Sequence, residues 1–326
     1  MDTASVQDHL VKAIVYSDEL KQIFEDQLMA RPFVRWLPDW GGDVIQIPSI
    51  GQGAAPDDYV EDTPVQYTDL DTGAFQFVIN QYLSTGNYIT EKARQNSYYG
   101  DMLESMFVPK QARAMEERLE ADIFALQSQQ TAADLNSING IPHRWVGKGT
   151  SNGATSLSIE DFSHAKYSMR MANVPLSNLV CVVDPSVAVV IETDSNLRDV
   201  SFNPMWEGII TSGMTSGFRF IRNIYGWDVY ESNFLAKTGA ETINSRALDF
   251  AATDSSAGTG VANMFMSMAP EAVPFVGAWR QPPKVDSEFN KDFQRTEYVT
   301  TARYGLALYR PESLVTVLSA TNTVAV

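Results

Sequence analysis

The sequence predicts an α+β fold, and three observations point there. Helical spacing dominates Thr90–Gln130, where Met115, Leu119, Ile123 and Leu126 recur at intervals of four, four and three. Strand alternation marks Phe75–Leu83 and returns at Tyr298–Tyr309. The composition is globular, with 326 residues, 44% of them apolar and 20% charged. A chain of this length buries roughly three quarters of its unfolded surface and suggests about two domains.

Taken in order, the first thirty residues read as an amphipathic helix, with apolar positions at Val6, Leu10, Ile14, Leu20, Phe24 and Leu28. Pro32 and Pro38 then stop helix. Asp43–Ile50 and Phe75–Leu83 carry strand signals. In the second of these, Phe75, Phe77 and Ile79 alternate with Gln76, Val78 and Asn80. The connection between them is rich in Gly, Pro and Asp and reads as a long exposed hairpin loop. From Trp36 to Glu91 there is no Lys or Arg, while Asp39, Asp43, Asp57, Asp58, Glu61, Asp62, Asp69, Asp71 and Glu91 all fall there. Such an arm leaves its carboxylates to water or meets basic partners elsewhere.

Pro109 is expected to divide Thr90–Gln130 into two helices and to start the second. Around the stripe after it, Arg113, Glu116, Glu117, Arg118 and Glu120 form the polar side, with Arg113 and Glu117 at pairing distance four apart. Gly147–Ser156 reads as a flexible loop. Ser158–Asp161 is a capping-box-like start for a helix bearing Phe162, Ala165 and Met169 and ending before Pro175. A short buried strand, Leu179–Val183, precedes a helix opened by Asp184 and Pro185. Later strands are expected at Phe218–Ile224, Trp227–Ser232, Val261–Met268, Tyr298–Tyr309 and Leu314–Leu318. Met264, Met266 and Met268 alternate on one of these and read as core.

Charge excludes several functions. Lys and Arg total 24 against 40 Asp and Glu, a formal charge of −16. That balance argues against a nucleic-acid grip, which needs clustered basic residues, and against an anionic membrane surface. No stretch approaches the ~18 apolar residues of a spanning helix, and the start lacks the basic and apolar regions of a secretory signal. The single cysteine, Cys181, lies in an apolar run and reads as a buried small hydrophobe, so the chain needs no oxidising compartment.

Chemical motifs are sparse. His9, His143 and His164 form no metal-binding pattern, and no Cys cluster accompanies them. Ser163–Lys166 matches SxxK without its partner motifs, and no GxSxG elbow occurs. Gly147–Thr150 lacks the phosphate-loop spacing, and no DxDxDG calcium loop is present. Neither a catalytic nor a metal site, nor a cofactor, is expected.

The order of elements resembles a tailed-bacteriophage major capsid protein of the Hong Kong 97 type. The sharpest match is Gly217–Leu235, GFRFIRNIYGWDVYESNFL, where family members carry a similar strand, Gly turn and "G-x-D-V-Y-x-S-N". Asn173-Val174-Pro175 through Asp184-Pro185, and Tyr304-Gly305 through Arg310-Pro311-Glu312 before Val315-Thr316-Val317, are similar too. The resemblance implies an N-terminal arm (1–40), an extended two-stranded E-loop (41–89) and a spine helix with the first part of a peripheral domain (90–173). An axial domain (174–278) and closing peripheral strands (279–326) follow.

In such proteins the E-loop reaches over a neighbouring subunit. On that basis Asp57, Asp58, Glu61, Asp62, Asp69 and Asp71 are candidate contact residues, and Arg94, Arg113 and Arg118 are candidate basic partners on the neighbour. One family member cross-links its shell from an E-loop Lys to an Asn. This E-loop has no Lys, so noncovalent contacts or a cementing protein would have to hold the shell. The resemblance further implies pentamers and hexamers of an icosahedral head, assembly in the bacterial host cytoplasm, and a scaffolding protein and portal as partners. It also implies double-stranded DNA enclosed by a wall whose negative charge avoids tight binding. Two other readings are an encapsulin-like compartment, which shares the fold and would hold enzyme rather than nucleic acid, and a soluble acidic α+β enzyme, which would be a monomer or small oligomer with turnover.

Overall fold

The computed structural model describes residues 28–38, 42, 44–50, 58, 61, 72–96, 100–130, 136–193, 220–250 and 259–321. The expected N-terminal helix lies, up to residue 27, outside these; Leu28–Ala30 is irregular. Strands β1 Val34–Leu37, β2 Val44–Ile50, β3 Thr72–Val78 and β4 Gln81–Thr90 come first, then helices α1 Glu91–Asn96 and α2 Gly100–Ala125. Short strands β5 Ser137–Ile138, β6 Ile141–Pro142, β7 Arg144–Val146, β8 Gly149–Ser151 and β9 Ala154–Ser156 lead to helix α3 Ile159–Met171, strand β10 Leu179–Val183 and helix α4 Pro185–Thr193. The later elements are strands: β11 Phe220–Ile224, β12 Trp227–Glu231, β13 Lys237–Thr238, β14 Thr242–Ile243, β15 Arg246–Ala247, β16 Gly260–Ser267, β17 Phe275–Asn290, β18 Arg295–Leu308 and β19 Leu314–Ala320.

Two sheets organise the chain. The larger has the order β11-β12-β10-β16-β19-β7, with β13 added beside β16. Its centre is covered on both faces: every residue of β10, β16 and β19 is buried, as continuous apolar runs require. Cys181 is fully buried there. Helix α3 packs Phe162, Ala165 and Met169 onto this sheet, with Phe162 and Trp227 each edge-on to Phe265 at 5.1 Å. The Trp227 indole N–H donates to the Phe162 carbonyl at 3.1 Å, so the largest core side chain leaves no buried donor unmet.

The start of α3 follows from its sequence. Asp161 Oδ2 accepts the Ser158 N–H at 2.9 Å and the Lys148 N–H at 3.0 Å, while its Oδ1 accepts the Trp145 indole N–H at 3.0 Å. The capping carboxylate thereby also ties the helix to the preceding strands. Asp184 opens α4 in the same manner, taking the Ser186 N–H at 3.2 Å, with Pro185 in the first helical position.

The smaller sheet has the order β1-β17-β18-β4. Helix α2 lies across β4, β17 and β18. Met115, Leu119 and Ile123 face the sheet and are buried, as their spacing predicts. Strand β17 shifts register between Trp279 and Lys284, where Pro282 and Pro283 cannot donate to the ladder.

Three expectations need correction. Pro109 does not divide two helices; it lies inside α2, and the helix continues through it. An interior proline, through its lost hydrogen bond and ring clash together, costs about 3 kcal/mol, and the packed length of α2 on the sheet offsets it. Gly147–Ser156 is not a loop but the β8–β9 hairpin, turned by Asn152 (φ 49°) and Gly153 (φ 72°). Two residues at positive φ are the turn that matches strand twist, and Asn-Gly favours it. The same device closes β5–β6, β11–β12 and β14–β15, where Asn139-Gly140, Tyr225-Gly226 and Asn244-Ser245 all have positive φ. Glu120, placed on the polar side of the helix by its charge, is buried at 3% exposure.

Candidate functional site

Strands β2 and β3 pair antiparallel from Val44 opposite Val78 to Ile50 opposite Thr72. Among the described residues they pair with no third strand, so the hairpin has two open edges. An isolated two-stranded hairpin is marginal in water, so its attachment matters. Among the described residues that attachment lies toward the root. Phe77 and Ile79 are buried against Val276 and Ala278, with Leu37, Ile45, Phe75 and Tyr309 packed around them. Phe75 meets the Tyr309 ring edge-on at 5.1 Å. The alternation read from the sequence is therefore real: Gln76, Val78 and Asn80 face outward.

Glycine makes the root possible. A Cβ on Gly305 of β18 would lie 2.7 Å from the Val78 carbonyl oxygen and 2.9 Å from the Ile79 Cα. Beside the root a cavity of about 350 Å³ is lined by Arg35, Leu37, Ile45, Ile47, Val276 and Tyr309. Farther out, Pro48, Gly73 and Ala74 are exposed; at the root end itself Val44 and Val78 are cross-strand neighbours at 47% and 41% exposure. The hairpin is held at one end, with open edges among the described residues and its two root valines facing outward.

Of the six acidic candidates, Asp58 and Glu61 are described and exposed. Asp57, Asp62, Asp69 and Asp71 lie outside the described residues. The three arginines sit apart from one another along two helices. Arg94 is exposed in α1. Arg113 Nε holds Glu117 Oε1 at 3.0 Å, and Arg118 Nε holds Asp122 Oδ1 at 3.1 Å. Both pairs are partly buried and join residues one turn apart in the same helix.

The sequence reading missed the polar anchors of α2. The Gln111 side-chain amide donates to the Tyr298 carbonyl at 3.2 Å and accepts the Thr300 hydroxyl at 2.8 Å. The Tyr304 hydroxyl donates to Asp122 Oδ2 at 2.7 Å; burial and that carboxylate push its ionisation well above the ordinary tyrosine range. Just past the helix, Gln130 donates to the Leu314 carbonyl at 2.7 Å and accepts the Thr316 hydroxyl at 2.8 Å. Polar groups at these positions read as surface; only the fold shows that each meets a strand.

Also missed was the tip of the β17–β18 hairpin. The Arg295 guanidinium lies 4.4 Å from the Tyr88 ring centre and 4.7 Å from that of Phe293, and its Nε holds Glu297 at 2.6 Å. Tyr88, Phe289 and Phe293 are all largely exposed there.

Nothing in the described residues assembles a reaction centre. No three His, Cys, Asp or Glu side chains converge on a metal position among them. His143 is buried, and Lys166 of the SxxK match gives its ammonium to the Tyr225 carbonyl at 2.9 Å. His9 lies outside the described residues.

A family model described as "Phage capsid protein" matches residues 74–317. No curated protein matches the chain. Among solved structures, the capsid of cyanophage P-SCSP1u superposes with a TM-score of 0.70 at 13% identity, covering 96% of this chain and 93% of that one. The cyanophage Pam1 capsid gives 0.65 at 14% identity, covering 99% and 98%. A Mycobacterium phage Che8 structure gives 0.63 at 16% identity, covering 95% and 97%. At these identities the likeness is one of fold, and it spans nearly the whole chain.

Proposed function

Since this chain belongs to the phage capsid protein family and is a structural, non-enzymatic component of a phage head, we propose that it tiles as pentamers and hexamers into an icosahedral shell around double-stranded DNA. The observation that carries this reading is the β2–β3 hairpin: rooted on its own subunit by Phe77, Ile79 and Gly305, it leaves both edges open. Heterologous contacts of this kind close into rings when the rotation permits, and many weak copies together hold a shell.

In this reading the hairpin and its acidic loop lie over a neighbour, where Arg94, Arg113 and Arg118 meet the carboxylates of the loop. The larger sheet, with β10, β12 and β16 at its heart, is the axial part. Helix α2 and the smaller sheet are the peripheral part. Strand β19 runs back into the axial sheet. Assembly takes place in the host cytoplasm with a scaffolding protein and a portal, and a cementing protein can reinforce a shell whose E-loop has no Lys to cross-link. The net charge of −16 keeps the inner wall from gripping the genome.

Electron microscopy of the chain expressed with and without its scaffolding protein tests the reading. Closed shells with five- and six-fold clusters are expected in at least the co-expressed sample. A chain that stays monomeric in both contradicts it. A strongly basic inner surface in the resulting shell would overturn the account of the charge.

A further inference from the structure

The smaller sheet ends on β1 and β4, and the larger on β11 and β7. Three of these strands carry the guards that edges use against pairing with another chain. Strand β1 has Arg35 and is followed by Pro38, β11 has Arg222, and β7 has Arg144. Strand β4 has none. Its ten residues, Gln81–Thr90, include no charge and no proline, in a chain where 20% of residues are charged. On one side β4 pairs with β18, from Gln81 opposite Tyr304 to Thr90 opposite Arg295. On the other it meets no strand among the described residues. A long uncharged edge is a template for one more strand.

We infer that this edge pairs antiparallel with the β4 edge of a second copy across a two-fold axis; the inference rests on the shell reading above. The residues select the register. Tyr82, Ser84, Gly86 and Tyr88 are exposed on the face turned away from α2. An axis through Thr85 sets Thr85 opposite Thr85, Ser84 opposite Gly86, and Tyr82 opposite Tyr88 of the second copy, a favourable aromatic cross-strand pair. Moving the axis to Ser84 or Gly86 sets every tyrosine opposite a residue that is not aromatic. Charge complementarity agrees. Strand β18 places Arg303 beside Tyr82 and Glu297 beside Tyr88. Each row across the joined sheets then runs Arg303, Tyr82, and Tyr88 and Glu297 of the second copy, with a cation at one end and a carboxylate at the other. Arg295 holds Glu297 at 2.6 Å and lies 4.4 Å from the Tyr88 ring centre, so its own charge is paired within its copy. An acidic strand would instead set carboxylates against ten residues with no cation among them. The edge offers roughly 34 Å by 10 Å on each copy, short of the roughly 1,200 Å² that a stable free interface buries. The pairing therefore forms between subunits already gathered in a shell, and the unassembled chain stays unpaired.

Disulfide capture in purified shells tests the pairing. The native Cys181 is fully buried, so an introduced thiol at the edge is the one that reacts. Thr85→Cys puts two thiols opposite each other at the axis, whereas Gln81→Cys faces Ile89 of the second copy. Mild oxidation of shells is expected to give roughly ten-fold more covalent dimer from Thr85→Cys than from Gln81→Cys, and none above background from the unassembled chain. Adding Ser84→Lys is expected to abolish the Thr85→Cys dimer by setting two cations about the axis, with the denaturant midpoint of the subunit unchanged. Wild-type shells give a check free of substitution: amides of Gln81–Thr90 are expected to exchange more slowly there than in the subunit. Intact shells with no Thr85→Cys dimer, equal dimer from both positions, or unchanged exchange in β4 would each overturn the inference while leaving the shell reading standing. Slowed exchange without any dimer would overturn it in favour of a different strand on this edge. If no shells form under any condition, the shell reading fails first and this pairing falls with it.

Discussion

Glu120 holds Met29. From near the C-terminal end of α2 its Oε2 accepts the Met29 backbone N–H at 2.7 Å and the Ala30 N–H at 3.3 Å, bridging 91 and 90 residues of sequence. The chain is thereby fixed to α2 just before it enters β1. A carboxylate is otherwise costly to bury, and charge-assisted bonds from backbone donors are the means of keeping it there. Side chains of α2 that meet β18, together with Glu120, make the helix a strut between the smaller sheet and the segment at Met29.

Glu120→Ala is expected to destabilise the unassembled chain by about 1.5–3 kcal/mol, because two backbone donors lose a charged acceptor. Glu120→Gln keeps an acceptor without the charge and should fall between wild type and Ala. Denaturant midpoints check the order, and amide exchange should rise at Met29 and Ala30 before it rises in β16.

Gly305→Ala tests the root of the hairpin. The new Cβ meets backbone rather than a yielding side chain, so β3 must move off β18. Overpacking of this kind costs typically about 1–3 kcal/mol. Shell assembly is expected to suffer more than thermal stability of the subunit, since the larger sheet is untouched. Equal loss in both measurements would mean the root is part of the folding core rather than a mount for the arm.

His143 supplies the pH dependence. Burial lowers its pKa from the ordinary 6.5, against opposing contributions from the Ile141 carbonyl and from Glu312. The unfolded chain therefore binds the proton more readily than the folded one. The sign follows: stability is fully present above the ordinary histidine value, falls as pH drops through it, and levels off below the folded value. Denaturant midpoints of wild type minus His143→Gln, taken from pH 8 to pH 5, should shrink toward acid. A constant difference would remove His143 as the source.

Much of the fold could be read in the residues because local and tertiary signals agree there. Phe75, Phe77 and Ile79 alternate because only one face of the hairpin root meets a core, and Leu179–Val183 runs apolar because both faces of β10 do. Asp161 and Asp184 sit where caps belong. Disagreement explains the misses. Pro109 reads as a break, yet the packing of α2 overrides it. Asn152-Gly153 was hidden among small residues that read as a loop. Glu120 and Gln111 look like surface until strands and chain ends arrive from about ninety and nearly two hundred residues away.

The candidate site was legible in part. The hairpin and its lack of basic residues are a feature of one continuous segment, so the sequence displays them. Its mount is not displayed so: Val276, Ala278, Gly305 and Tyr309 meet Phe77 and Ile79 from about two hundred residues away, and no spacing rule joins such distant positions.

The most direct test of the shell account is a cryo-electron microscopy map of assembled particles, traced through residues 41–89. The account predicts that the β2–β3 hairpin of each copy lies across an adjacent subunit and that its acidic loop faces basic side chains there. A hairpin folded back on its own subunit, with neighbours meeting through other surfaces, would contradict it.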